Sequence, residues 1–287
     1  MFILCILLAS IFPIQVVPSA EPPRPGTDGQ LSAKQGEVIW LEIPVPRDVL
    51  AVNGTFLKRN IPFFPLSDSV MAGIVGIDME DPPGEQELTV RINSPKESDR
   101  LSYTVLVIKE KYTVQKLTLP KNKVDLDSKT LKRVRLEQKE MRGAFQHVHP
   151  RPLWEGPFLE PVSGKVTGRF GSRRIINGHP RRPHSGEDIA APKGTPVLAI
   201  NRGKVTITVD HFFSGKGVIL DHGLGLHSMY FHLSAIDVKP GQMIDKGEPL
   251  GKVGASGRAT GPHLHWGIRL NGSRVNPYAL TTLPIQQ

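Results

Sequence analysis

The run "GPHLHWGI" (261–268) places His263 and His265 one residue apart, with Leu264 between them. In a β-strand, side chains alternate between faces with a period of two. His263 and His265 then share one face and Leu264 the other, with Trp266 and Ile268 beside them in the run. The pair itself suits either a metal site or cross-strand packing, and the surrounding sequence has to decide between them.

Outward from this run the chain is glycine-rich and β-patterned. "GTPVLAINRGKVTITVD", "KGVILDHG", "LHSMYFHL" and "GEPLGKVG" read as strands punctuated by glycine, and "LNGS" (270–273) has the form of a hairpin turn. All ten histidines lie between positions 147 and 265, an asymmetry expected of a metal or acid–base site. His147, His149, His179, His211, His222 and His227 match no motif and read as surface or packing residues.

Upstream, "VIWLEIPV" (38–45), "QELTVRI" (86–92) and "LSYTVLVI" (101–108) are β-rich runs separated by turn signals at Asn53–Gly54 and at "DPPG" (81–84). They predict a small sandwich-like domain over 36–120. It holds no histidine, so no chemistry is assigned to it. The period changes in "DSKTLKRVRLEQKEMRGAFQ" (127–146), where Leu131, Val134, Met141 and Phe145 recur at helical spacing after Asp127 or Ser128 as cap. This predicts a linker helix with a solvated basic face within 121–157, ending in the Pro-rich "HPRPLWEGP" (149–157). Residues 21–35 read as a loose lead-in. The overall expectation is a mainly β chain: an N-terminal sandwich-like domain, a linker helix and a C-terminal antiparallel β domain over 158–287.

The first twenty residues carry no charge and end in "PSA", as a cleavable export signal does, although a basic n-region is missing. Cys5, the single cysteine, lies inside this segment. The mature chain would have no disulfide and no thiolate ligand, so any metal must be held by His, Asp or Glu. The net charge of +9 suits an anionic envelope polymer or lipid surface. Nucleic acid is disfavoured by the export signal and by an aromatic content of only 6%.

Two further stretches complete the constellation. In "HSGED", His184 and Asp188 bracket Gly186, and Pro183, Pro192 and Gly194 deny the segment a helix. An extended turn at Gly186 can aim both side chains at one point. In "HSMYFHLS" (227–234), strict alternation puts Ser228, Tyr230 and His232 on one face and His227 on the other. A catalytic zinc site takes three protein ligands and keeps a fourth position open. His184, Asp188 and one of His263 and His265 would supply them, leaving the other histidine of the pair and His232 for proton transfer.

These motifs, in this order over 164–277, resemble the lysostaphin/LytM-type zinc metallopeptidases: "GRFGSRR", "HSGEDIAAPKGTPVLAINRGKV", "GVILDHGLGLHSMYFHLS", "VKPGQMIDKGEPLGKVGASGRATGPHLHWGIRLNG" and "VNP". The resemblance implies Zn2+ held at His184, Asp188 and His265, with His232 and His263 as the catalytic pair. It also implies an exported metalloendopeptidase that cuts peptide cross-links of bacterial peptidoglycan in the periplasm or envelope. With no SH3-like targeting module after "VNPYAL", the D-alanyl–diaminopimelate bond is preferred over a glycyl-glycine bridge. A zinc-binding scaffold that activates other wall hydrolases is a further alternative. So is a lipoyl-type carrier built on "VKPGQMIDKGEPLG" with Lys246, although a carrier needs no metal histidines. The expected partners are peptidoglycan stem peptides. No nucleic acid is expected, nor a span in the mature chain, and the expected state is a monomer.

Overall fold

The structure is a computed structural model that describes residues 29–118, 126–146 and 148–285. The predicted signal segment, its cleavage near Ala20, Cys5 and His147 lie outside the described residues.

The first unit contains β1 (Gln30–Lys34), β2 (Val38–Pro44), β3 (Ala51–Phe56), β4 (Arg59–Ser67), β5 (Val70–Gly76), β6 (Gly84–Asn93) and β7 (Ser98–Ile108). They hydrogen-bond in the order β1-β7-β6-β3-β4-β5-β2. β4 pairs with β3 through Arg59–Pro62 and with β5 from Phe63 onward, so the sheet folds over along this strand. Phe56, Leu88, Val90 and Val105 from one half then meet Ile43, Val75 and Ile77 from the other in a single core, giving the sandwich-like form.

Two local expectations are corrected. Gln30–Lys34 is a strand, paired in parallel with β7, because Leu31 and Ala33 face the core; the lead-in does not reach 35. Asn53–Gly54 lies within β3, and the chain turns at Leu57–Lys58 with φ of 46° and 66°. Gly54 faces Ile61 and Phe63, both 3.1 Å from where a Cβ would stand, so here glycine serves packing, not reversal.

β8 (Val114–Leu117) crosses to the second unit, and α1 (Ser128–Ala144) follows, capped by Asp127 Oδ1 accepting from the Thr130 amide at 2.7 Å. The helix is docked, not solvated on every side. Val134 and Ala144 are buried, and Met141 and Phe145 pack against a cluster of Val209, Ile219, Met229 and Phe231. Glu137 accepts from the Phe212 amide, Glu140 lies 2.9 Å from His211, and Leu131 faces solvent.

The second unit holds β9 (Lys165–Gly168), β10 (Arg173–Ile176), β11 (His179–Pro180), β12 (Gly186–Ala190), β13 (Pro196–Leu198), β14 (Gly203–His211), β15 (Gly215–Asp221), β16 (Leu226–Leu233), β17 (Ala235–Ile236), β18 (Met243–Ile244), β19 (Pro249–Lys252), β20 (His263–Leu270) and β21 (Ser273–Val275), then the short α2 (Tyr278–Thr281). The main sheet is antiparallel in the order β18-β14-β15-β16-β20-β12-β9, with β21 beside β20. A β13-β19-β17 sheet and a small β11-β10-β8 sheet flank it; the β10–β8 pairing is parallel. As the "LNGS" signature predicts, β20 and β21 are joined at Asn271–Gly272, both with positive φ.

One face of the main sheet is the core. Leu264, Trp266 and Ile268 are fully buried there with Tyr230, and Phe64, Ala72 and Ile74 of the first unit join the same cluster. Phe64 lies edge-on between Trp40 and Trp154, at 5.8 and 5.5 Å between ring centroids. Arg274 binds Asp78 and Glu80 across the junction, at 2.6 and 2.7 Å. Asp78 is raised by burial, but the bonds from Arg274 outweigh this and hold it below its ordinary value.

His222 is fully buried, with Nδ1 donating to the Arg202 carbonyl at 2.8 Å and Nε2 2.7 Å from Ser228 Oγ. Burial pushes its pKa from 6.5 down to about 4. The folded chain therefore binds fewer protons here than the unfolded chain. The His222 contribution is complete above the unfolded value near 6.5 and is lost as pH falls toward 4. It amounts to roughly 3 kcal/mol over that window. Denaturant melts of the native chain and of His222→Asn at stepped pH should show a flatter dependence between pH 6.5 and 4 for the variant.

Candidate metal centre

The centre is built on strand register. β12 pairs antiparallel to β20 with Asp188 opposite His265 and Ala190 opposite His263. On its other side His265 is opposite Phe231 of β16. Directly opposed residues share a face. Asp188, His265 and Phe231 therefore stand together on the side away from the Trp266 core, and His263 joins them two residues along β20. The spacing of the histidine pair places both rings on the open face while Leu264 and Trp266 seal the interior.

His184 arrives from the segment before β12. Its backbone is fixed by bonds from its amide to the Ser172 carbonyl and from the Gly171 amide to its own carbonyl, at 3.0 and 2.8 Å. Its Nδ1 donates to the Arg169 carbonyl at 3.1 Å, which turns Nε2 inward. There Nε2 lies 3.0 Å from Asp188 Oδ1 and 3.0 Å from His265 Nδ1, and His265 Nδ1 is 2.9 Å from Asp188 Oδ1. One donor atom from each of the three residues falls within 4.8 Å of the others. Two imidazole nitrogens and a carboxylate oxygen in this arrangement could hold a divalent ion, and the set suits zinc where no thiolate is present.

His232 and His263 flank this cluster. Their rings are 4.7 Å apart, and His263 Nε2 lies 3.8 Å from Asp188 Oδ1. Each ring donates Nδ1–H to a carbonyl at 2.8 Å, that of Ser256 for His232 and that of Gly261 for His263. These bonds engage Nδ1 and leave Nε2 as the second nitrogen of each ring, that of His263 lying toward Asp188.

The alternation expected for "HSMYFHLS" fails at one residue. Ser228 and Tyr230 face the core as a pair, and a regular strand would send His232 after them. Instead, the pairing with β15 slips between Lys216 and Val218, and His232 adopts φ of 65°. This left-handed backbone turns the ring to the opposite side, where it meets His263. A non-glycine residue at such a φ costs about 1–3 kcal/mol and is found where function holds it in place. Phe231, stacked on His265 at 5.8 Å and 13°, is a site residue that motif reading missed. Its signal was its place opposite His265, which needs the pairing register. The supporting carbonyls of Arg169, Ser256 and Gly261 leave no side-chain signature.

Burial shapes the electrostatics. It raises Asp188, but hydrogen bonds from His184 and His265 reverse this and hold the carboxyl far below the ordinary range. It lowers His265, against the bond to Asp188, and pushes His232 to about 4 despite its bond to the Ser256 carbonyl. The imidazole of His232 is therefore neutral at neutral pH, as a proton acceptor has to be.

Glycine clears the space around the cluster. A Cβ on Gly168 would stand 2.4 Å from Asp188 Oδ2, and one on Gly186 would meet the Trp266 carbonyl at 2.3 Å and His265 Nε2 at 2.8 Å. Gly186→Ala should therefore force β12 away from β20, costing about 1–3 kcal/mol of stability. Thermal melts and a metal titration should show a less stable chain with weakened metal affinity.

Comparison with known proteins places this geometry. Residues 182–277, which include all five site residues, match the model of peptidase family M23. The solved structure of a peptidase M23 from Pseudomonas aeruginosa is similar over 86% of this chain and 94% of that one, with a TM-score of 0.67 and 32% identity. Among curated relatives, the peptidoglycan DD-endopeptidase ShyA of Vibrio cholerae is 41% identical over 122 residues, covering 40% of this chain. The DD-carboxypeptidase/endopeptidase Mpg of Neisseria meningitidis is 41% identical over 123 residues, covering 42%. The matched region is 28% of the length of each of these two relatives. With the family model and the near full-length structural match in agreement, the chain belongs to peptidase family M23.

Proposed function

We propose that the chain is an exported zinc metalloendopeptidase that hydrolyses peptide cross-links of bacterial peptidoglycan, with the D-alanyl–diaminopimelate bond as its target. The observation that carries this reading is the convergence of His184, Asp188 and His265 beside two further histidines, each anchored to a backbone carbonyl through Nδ1. A non-catalytic scaffold needs the first set but not the second. The relatives ShyA, named as a peptidoglycan DD-endopeptidase, and Mpg, named as a DD-carboxypeptidase/endopeptidase, support the choice of bond. The net charge of +9 suits an anionic wall polymer, and no helix among the described residues is long and apolar enough to cross a membrane.

His184 Nε2, Asp188 Oδ1 and His265 Nδ1 would be the zinc ligands. Zinc bound there supplies a Lewis acid that polarises the scissile carbonyl and acidifies water toward neutral pH. His232, neutral and anchored through Nδ1, accepts a proton at Nε2. His263, in the form that carries a proton on Nε2 as well as on Nδ1, donates through Nε2 to the oxyanion or to the departing amine. Phe231 and the buried β16–β20 surface fix the ring of His265 so that its Nδ1 stays directed at Asp188.

Two outcomes are expected. His184→Ala and His265→Ala should each lose stoichiometric zinc by elemental analysis. His232→Ala and His263→Ala should keep it while activity falls roughly 10²–10⁴-fold. Stoichiometric zinc retained by His184→Ala would refute the ligand set. Digestion of diaminopimelate-type peptidoglycan should convert cross-linked dimers to monomers, resolved by mass. Release of sugars alone, or cleavage confined to pentaglycine bridges, would refute the substrate.

A further inference from the structure

Beyond the metal centre, the same face of the main sheet carries a second concavity. His265, Gly267 and Arg269 alternate onto one side of β20, so Arg269 stands four residues from His265, roughly 13 Å at strand spacing. It forms the floor of a cavity of about 550 Å3 walled by the first unit at Asn60 and Pro62, by the end of α1, and by the segment 148–150. That volume is in the range of small-ligand sites.

The charge in this cavity is unbalanced. Arg269 lies opposite Arg274 on β21. Arg274 takes both Asp78 and Glu80, at 2.6 and 2.7 Å. Half-buried Arg269 makes no ion pair or hydrogen bond to a carboxylate among the described residues; the field of Asp78, which Arg274 already holds, reaches it, and its guanidinium lies over the Phe145 ring at 4.9 Å. Asp221, one strand further on opposite His227, accepts from the amides of His149 and Gly223 at 2.8 Å each and lies 4.0 Å from His227 Nε2. Exposed Arg142 adds a second cation, and His149 and His227 line the wall. Half-burying a guanidinium with no carboxylate in contact is costly, and Asp78 is already taken by Arg274, so the cavity suits an anion supplied from outside.

We propose that this cavity is a second binding site that takes the free carboxylate of a short peptide, gripped by Arg269 with Arg142 at the rim. The planar fork of arginine matches a carboxylate. Asn60 and Asn271 offer amide partners for peptide groups, and Pro62 and Leu224 provide apolar wall for aliphatic side chains. The peptide is read as a product or flanking stem of the substrate, and that reading rests on the function proposed above.

The test uses the full chain and a diaminopimelate-type stem tetrapeptide, which holds no cross-link and is not cleaved. Calorimetric titration should show binding that weakens roughly tenfold when the peptide carboxylates are converted to carboxamides, and by a similar factor in Arg269→Met. Arg269→Lys should fall between, and Arg142→Met, at an exposed position, should weaken binding even if Arg269→Met proves unstable. Zinc content should be unchanged in all three. Equal affinity for the carboxamide, binding indifferent to all three variants, or inorganic phosphate binding as tightly as the peptide would overturn the proposal. Tetrapeptide binding without hydrolysis of peptidoglycan would sink the enzymatic reading and leave this site standing; hydrolysis without it would do the reverse.

Discussion

The register between β12 and β20 is the constraint on which the rest of the molecule turns. Placing Asp188 opposite His265 sets the donor atoms 2.9 Å apart before any ion is considered. A slip of one residue would send the imidazoles into the core and Trp266 into water. The register is held from the interior side, where Leu264, Trp266 and Ile268 have no exposure and cannot be exchanged for histidine. It is also held by glycine: Gly186 lets β12 approach the Trp266 carbonyl more closely than any side chain allows. Packing on one face of the sheet thus dictates chemistry on the other.

Much of this was legible in the sequence because its cause is local. Period-two alternation in "GPHLHWGI" predicts the split of His263 and His265 from Leu264, and the structure has it, with Leu264 fully buried. "LNGS" carries its own turn chemistry. What escaped depends on partners far along the chain. His232 shares strand β16 with Tyr230, and nothing in "YFH" announces the left-handed residue that separates them; the slip in pairing with β15 does. Asn53–Gly54 reads as a turn until Phe63 is seen lying over Gly54. The strand at 30–34 is polar at alternate positions and shows its role only once β7 is beside it.

Helix α1 shows the same limit. Its basic residues do face solvent, but Met141, Ala144 and Phe145 cover the side of the sheet that also bears the candidate metal site. Phe231 touches both, packing in the cluster under the helix and stacking on His265 at 5.8 Å. The element that looked like a connector is therefore one wall of the surface on which the centre sits.

The aromatic contact between the two units has a consequence for folding. Trp40 and Phe64 belong to the first unit by sequence, yet they bury against Trp154 and the core of the second. Separating the units would expose those rings and break the Arg274 bonds to Asp78 and Glu80. A shared apolar core of this kind couples its halves, so heat or denaturant should dismantle them in one cooperative step. A piece cut to the stretch that bears the family signature would lose Trp154, Phe158 and Val162 from its core, as well as Phe64, Ala72 and Ile74.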